Sequence, residues 1–198
     1  MTCIIGYKDK KNNRVYIGSD SCVSSGYNSE HTLDECYKIF KPDKNKNIAI
    51  AITGSVRALQ VLKYHMEFPT EKELDANNEV FDDKYIITKL IPKLRNVCDD
   101  NKILEKDNSV WLTFILAYKN KLWYIDSDFS LVKFTDEYLT HGCGLDFAEG
   151  SLHTTKDMDL DIPTKIKLAL RSGAIATGVS APYYIVNTMD DEVLKFEE

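Results

Sequence analysis

The sequence predicts an α+β fold: a four-layer αββα sandwich in which two antiparallel sheets pack together and a helical pair flanks each outer side. Three observations predict it. The elements run β-rich, two helices, β-rich, two helices, β-rich along the chain. The segment NIAIAIT at 47–53 is nearly all apolar, the pattern of a strand covered on both faces. Finally, two helical pairs separated by antiparallel strands cannot bury their apolar faces on one sheet, whereas they can flank two packed sheets. A chain of 198 residues suits a single core, so one domain over 1–198 is expected.

Taken in order, residues 2–7 and RVYIG at 14–18 are apolar or β-branched and flank the turn signal Asn12-Asn13, so the chain opens with a hairpin. Residues 38–40 and 47–53, joined across Pro-Asp-Lys-Asn, form a second hairpin. Gly54-Ser55 stops that strand, and 56–68 places Val56, Leu59, Leu62 and Met66 near one helical face. Residues 69–83 are polar and read as a loop or helical extension. A helix follows over 82–100, with Pro92 as a potential kink. Residues 110–119, 121–128 and 131–144 are β-rich with short turns between them, which reads as a meander. Helices are expected from Gly144 through LDFAEGSLHTT and over 164–177, and PYYIVNTM and EVLKFEE supply two closing strands.

Composition narrows the function. With 25 Lys plus Arg against 31 Asp plus Glu, the net charge is -6, which works against a phosphate-neutralising surface and argues against nucleic acid. The Lys-rich stretches at 8–11 and 41–46 are interrupted by Asp, Asn and Pro and read as solvated turns. No apolar run reaches a membrane span, and the start lacks the order of a signal peptide, so a cytoplasmic location is expected. Cys3, Cys22, Cys36, Cys98 and Cys143 contain no C-x-x-C pair, so reduced thiols are expected rather than a disulfide framework or a zinc site. His31, His65, His141 and His153 are too scattered for a metal set. No metal and no cofactor are expected.

Thr2 alone says little, because a small second residue commonly follows the initiator Met. Its company says more: a strand opening at Thr2, a strand ending in Gly-Ser-Asp at 18–20, a Lys in YKIF at 37–40, and Thr-Gly-Ser at 53–55. Taken singly, Asp20 also fits a turn cap, Lys38 an edge-strand gatekeeper, and Gly54 an ordinary strand-to-helix turn. In this order and spacing the four resemble the proteasome β subunit and the bacterial HslV-type peptidase, both N-terminal nucleophile hydrolases. The resemblance covers nearly the whole chain and implies the proteasome-like form of the αββα sandwich.

It also implies a chemistry. A threonine hydroxyl is a poor nucleophile without a base, and the α-amine of an N-terminal Thr, with an ordinary pKa of about 7.7–8.0, can serve as one. Thr2 would be that nucleophile once Met1 is removed. Lys38 would favour the neutral amine, Asp20 would hold Lys38 charged and oriented, and the Gly54 N–H would face the developing oxyanion. Peptide or amide hydrolysis is the implied reaction. The segment around 141–152 resembles the family's Gly-Ser-Gly entry to a helix, with Cys143 where the family has Ser, and a thiol is the weaker hydrogen-bond donor. The segment 173–182 retains Ser180 and Pro182 but carries no Asp where the family often has one. A substrate pocket is expected at Ser21, Cys22, Ala51 and Thr53, small walls suited to an uncharged side chain.

By resemblance the partners are a peptide or unfolded-protein substrate, further copies of the chain in a ring, and a separate ATP-dependent unfoldase, since the chain carries no phosphate loop of its own. Two other readings share the fold: a shell or scaffold subunit without a working Thr, which the departures at Cys143 and 173–182 favour slightly and the retention of Thr2, Asp20, Lys38 and Gly54 argues against, and an amidase for a small amide.

Overall fold

The computed structural model describes residues 1–25, 29–32 and 36–197, with backbone alone for 24–25 and 29–32. The N-terminal hairpin forms as the sequence predicts, with β1 (Cys3–Asp9) paired antiparallel to β2 (Arg14–Ser19). Its turn is locked by Asp9, whose carboxylate accepts from the Asn12 backbone N–H at 3.1 Å and the Asn12 side-chain amide at 2.8 Å. A short hairpin that the sequence did not signal follows, β3 (Cys22–Ser25) with β4 (Ser29–Thr32). Then come β5 (Ile39–Phe40) and β6 (Ile48–Gly54), the second predicted hairpin.

The first helical layer holds α1 (Val56–His65), α2 (Glu71–Ala76), α3 (Asp83–Tyr85) and α4 (Ile91–Asp100). The short α2 lies in the region expected to be a loop or helical extension, where Thr70 and Glu73 form a reciprocal capping box that satisfies both orphan donors. Between α3 and α4 the backbone widens into a π-helical turn, Ile86–Leu90. Pro92 lies just beyond it and has no N–H for the carbonyl four residues back, the defect that a widened turn accommodates.

The second half contains β7 (Leu112–Tyr118), β8 (Lys121–Ile125), β9 (Leu131–Val132) and β10 (Tyr138–Gly142). Here the sequence expectation needs correcting. Residues 131–144 are not one strand of a meander: β9 pairs with β8, and after an exposed stretch at 133–137 the chain crosses to the other sheet, where β10 pairs with β1. Next are α5 (Leu145–Thr155) and α6 (Ile162–Gly173), then β11 (Tyr183–Asn187) and β12 (Val193–Phe196). Helix α6 starts two residues before the predicted 164, because the Asp161 carboxylate caps the Thr164 N–H at 2.7 Å. Of the final predicted strand, Glu198 lies outside the described residues.

Two five-stranded antiparallel sheets result, ordered β10-β1-β2-β11-β12 and β5-β6-β7-β8-β9. Three apolar layers bind them. Ile4, Val15 and Ile17 from one sheet meet Ala49, Ala51, Ile115 and Leu122 from the other. Cys3, Ile5 and Ile185 face Ile166, Ala169 and Leu170 of α6. Ile48, Ile50 and Ile52 face Leu59, Leu62, Ile86 and Leu94 on the opposite side. This is the predicted αββα order. In β6 the alternation is large toward the helices and small toward the partner sheet, which lets the sheets approach closely. Each fully buried Ile contributes about 1.5–3 kcal/mol. Among the described residues no helix is long and apolar enough to cross a membrane.

Candidate active site

Thr2 immediately precedes β1, so its side chain is placed by the two neighbouring strands of that sheet. It is 4 % exposed. Its hydroxyl donates to the Met1 carbonyl and its N–H donates to Cys143 Sγ at 3.3 Å. The chain reverses at Gly142 directly over it: φ there is +102°, and a Cβ would lie 2.1 Å from the Thr2 carbonyl oxygen. Only glycine fits that approach.

Beneath Thr2 lies a buried ion pair. Asp20 follows β2, and Lys38 precedes β5; they are 1 % and 5 % exposed. Lys38 Nζ donates to both carboxylate oxygens, at 2.8 and 2.9 Å, and also to the Met1 carbonyl at 3.3 Å. The Asp20 carboxylate accepts in addition from the backbone N–H of Cys3 and of Cys22, each at 2.9 Å. Burial pushes the Asp20 carboxyl up, and the Lys38 ammonium and the two N–H donors pull against it. Four hydrogen bonds from three donor groups make a buried charge tolerable and fix the ammonium beneath Thr2.

Gly54 ends β6 at φ +132°, where a Cβ would meet the Trp111 carbonyl oxygen at 2.4 Å. Ser55 then caps α1, its hydroxyl accepting from the Ala58 N–H at 3.0 Å. The N-terminus of α1, with its partial positive charge, therefore opens beside Gly54. Thr2, Lys38 and Gly54 line one cleft of about 400 Å³.

Cys143 closes the arrangement from the side. It is exposed, and its thiol lies 3.4 Å from the Thr2 carbonyl and 3.6 Å from the Thr177 carbonyl. The thiols of Cys3 and Cys36 are pushed up to about 12 and that of Cys98 to about 11, in each case chiefly by burial, so these three are inert packing groups. His141 meets Tyr124, Nε2 to hydroxyl at 3.3 Å, and burial lowers its pKa. Among the described residues no group of three or more His, Cys, Asp or Glu could hold a metal ion.

The structure thus brings Thr2, Asp20, Lys38, Gly54 and Cys143 together, and it divides the expected pocket. Cys22 lines the cleft, whereas Ser21, Ala51 and Thr53 do not. Ser21 instead ties down the late segment, its hydroxyl donating to the Pro182 carbonyl and its N–H to the Ser180 carbonyl at 3.1 Å. Ala51 faces the interior between the sheets. Its neighbour Ile52 lines the cleft, together with Val23, Tyr37, Val56, Leu59 and Trp111. The run 48–52 is apolar throughout, so nothing in it signals which parity faces the cleft. The sequence placed Val56 and Leu59 on the apolar face of a helix but did not assign them to a pocket, and Trp111, distant in sequence, carried no signal at all.

The fold is that of the proteasome-like N-terminal nucleophile hydrolases. BPH of Thiobacillus denitrificans, solved in complex with epoxomicin, superposes with a TM-score of 0.75 at 17% identity over 94% of this chain and 97% of that one. Anbu (ancestral beta-subunit) from Yersinia bercovieri gives 0.69 at 14% identity over 100% and 88%. HslV from Trypanosoma brucei gives 0.65 at 15% over 94% and 98%. No protein-family model matches the sequence, and no curated protein does.

Proposed function

We propose that the protein is a threonine-type peptidase whose nucleophile is Thr2, freed by removal of Met1. The observation that carries this reading is the buried Asp20–Lys38 pair, whose ammonium lies 3.3 Å from the Met1 carbonyl, the group bonded to the Thr2 nitrogen, in the cleft that Gly54 also lines. With Met1 gone, the Thr2 nitrogen is a primary amine. It takes the hydroxyl proton as Oγ attacks the substrate carbonyl, directly or through one water. The neighbouring Lys38 ammonium keeps that amine neutral, and Asp20 holds Lys38 in place. Gly54 N–H and the start of α1 stabilise the oxyanion. As the intermediate collapses, the protonated amine passes its proton to the leaving amine. An ester to Thr2 is left, which water hydrolyses with the same amine as base.

The proteasome-like fold supports the wider reading: one domain over 1–198 acting in the cytoplasm within a ring of copies, on peptides or on chains unfolded by a separate ATPase. BPH was solved with epoxomicin, and an α′,β′-epoxyketone needs both a Thr hydroxyl and a free α-amine. The test follows directly. Intact mass on the purified protein should lack Met1, and epoxyketone treatment should add one inhibitor mass, mapped by peptide digestion to Thr2. Correctly processed protein that gains no mass would sink the reading.

The second reading, a scaffold subunit, is favoured by one observation: the group beside the Thr2 nitrogen is the Cys143 thiol, not a hydroxyl. A processed but unreactive Thr2 would establish it.

A further inference from the structure

Loss of Met1 would set a primary amine against an exposed thiol, and the inference drawn from that pair rests on the proposed function only for this free amine. The β1–β10 ladder sets the geometry. Cys3 pairs with Gly142, so one step further in the same antiparallel register Thr2 comes opposite Cys143. The two groups meet directly, the Thr2 nitrogen lying 3.3 Å from Cys143 Sγ. Cys143 is exposed, whereas Cys3, Cys22 and Cys98 are buried and Cys36 is half-buried. An oxidant in the surrounding water therefore reaches Cys143 first.

A cysteine oxidised to sulfenic acid condenses with a neighbouring thiol or nitrogen. The neighbouring thiol is Cys3, which is 0 % exposed and whose pKa burial pushes up to about 12, so it supplies almost no thiolate. Its sulfur also turns toward α6, 2.9 Å from where a Cβ on Gly173 would lie. The amine is the better nucleophile. Its ordinary pKa is about 7.7–8.0, and the Lys38 ammonium beneath it favours the neutral form. The property that suits it to act as a base toward the Thr2 hydroxyl suits it equally to attack sulfur.

We propose that Cys143 and the α-amine of Thr2 form a reversible redox lock, in which hydrogen peroxide links the two as a sulfenamide and silences the site. The O–O bond of peroxide breaks as one oxygen passes to Sγ, leaving a sulfenic acid and water. The amine lone pair then attacks Sγ, the S–O bond breaks, and the departing hydroxide takes an amine proton and leaves as water. The S–N bond removes the base that the Thr2 hydroxyl needs. A dithiol reverses the step: its thiolate attacks Sγ, the S–N electron pair returns to nitrogen with a proton, and the second thiol frees Cys143 from the mixed disulfide. A serine at this position has no such chemistry, so the thiol gives the site a control that a hydroxyl lacks.

The test treats Met1-free protein with hydrogen peroxide and reads intact mass, reductive dimethylation of the N-terminal amine, and the peptide map. The mass should fall by two hydrogens, Thr2 should cease to label, and a digest should join Thr2 to the peptide carrying Cys143. Epoxyketone addition should be lost in proportion to the linked fraction, and dithiothreitol should restore both labelling and addition. Cys143→Ser, compared with its own untreated rate, should lose nothing to peroxide, and Cys3→Ala should form the link as the wild type does. A Cys143 that stays a thiol, or that gains two or three oxygens while Thr2 still labels, would overturn the inference. So would a link that Cys3→Ala abolishes, which would be a disulfide. Untreated protein that takes up no epoxyketone would remove the peptidase reading instead, while mass and labelling still decide the lock.

Discussion

Thr2 is held from two sides that share almost no physical property. Below it, Asp20 and Lys38 are sealed from water, and each carboxylate oxygen has two donors at 2.8–2.9 Å. Beside it, Cys143 is exposed, and its sulfur makes contacts of 3.3–3.6 Å with Thr2 and Thr177. The sealed side is rigid because both charges of the ion pair are hydrogen-bonded and the loss of either leaves the other stranded. The open side is soft, because sulfur is a weak partner and water can replace it. Substitutions below Thr2 should therefore change folding and chemistry together, and substitutions beside it chemistry alone.

The largest effect belongs to the buried pair. Lys38→Met leaves Asp20 buried without its counter-charge, which should cost about 3–5 kcal/mol and lower the melting temperature by roughly 10 °C. Turnover of a fluorogenic peptide should fall about 10³-fold. Lys38→Met combined with Asp20→Asn should recover much of the lost stability but none of the activity, since the stranded charge is gone while the ammonium is still missing. A double variant no more stable than Lys38→Met would show that the two groups are not energetically coupled.

Gly54→Ala comes next and lies between the two sides. A Cβ there needs a backbone at φ +132° and meets the Trp111 carbonyl oxygen at 2.4 Å, so the turn must shift and move the N–H that would face the oxyanion. A loss of about 10²–10³ in kcat is expected, measured beside the thermal midpoint. Unchanged kcat in a folded Gly54→Ala protein would remove Gly54 from the oxyanion role.

The same contrast explains what could be read from sequence. Asp20, Lys38 and Gly54 were picked out by the resemblance, because their order and rough spacing after Thr2 match the family's, whereas each taken singly fits an ordinary turn or strand end. The cleft wall was less legible. Ala51 and Thr53 were expected in it, but a strand apolar on both faces does not announce its parity, and Ile52 occupies the place. The crossover at 133–137 was hidden for a related reason: β9 and β10 are both short β-type runs, and only partner choice, which is non-local, assigns them to different sheets. Trp111 reaches the cleft through the antiparallel pairing of β7 with β6, a contact between distant parts of the chain.

The smallest expected effect is the most informative about the open side. Cys143→Ser replaces a weak donor by a stronger one at an exposed position, so the thermal midpoint should barely move, by no more than the ±0.5 kcal/mol typical of surface changes. If the soft contact to the Thr2 nitrogen limits how well the free amine is oriented, the hydroxyl should raise kcat. The gain is bounded by one neutral hydrogen bond of about 0.5–1.5 kcal/mol, hence up to about tenfold, with little change in KM because the side chain lies outside the apolar wall. Cys143→Ala should lower kcat by a similar or smaller factor, again without loss of stability. Steady-state kinetics on the three proteins decides it. A Ser variant slower than the wild type would mean that the chemistry needs the thiol itself, and the open side of Thr2 would then be a functional contact in its own right and not a loosened version of a hydroxyl.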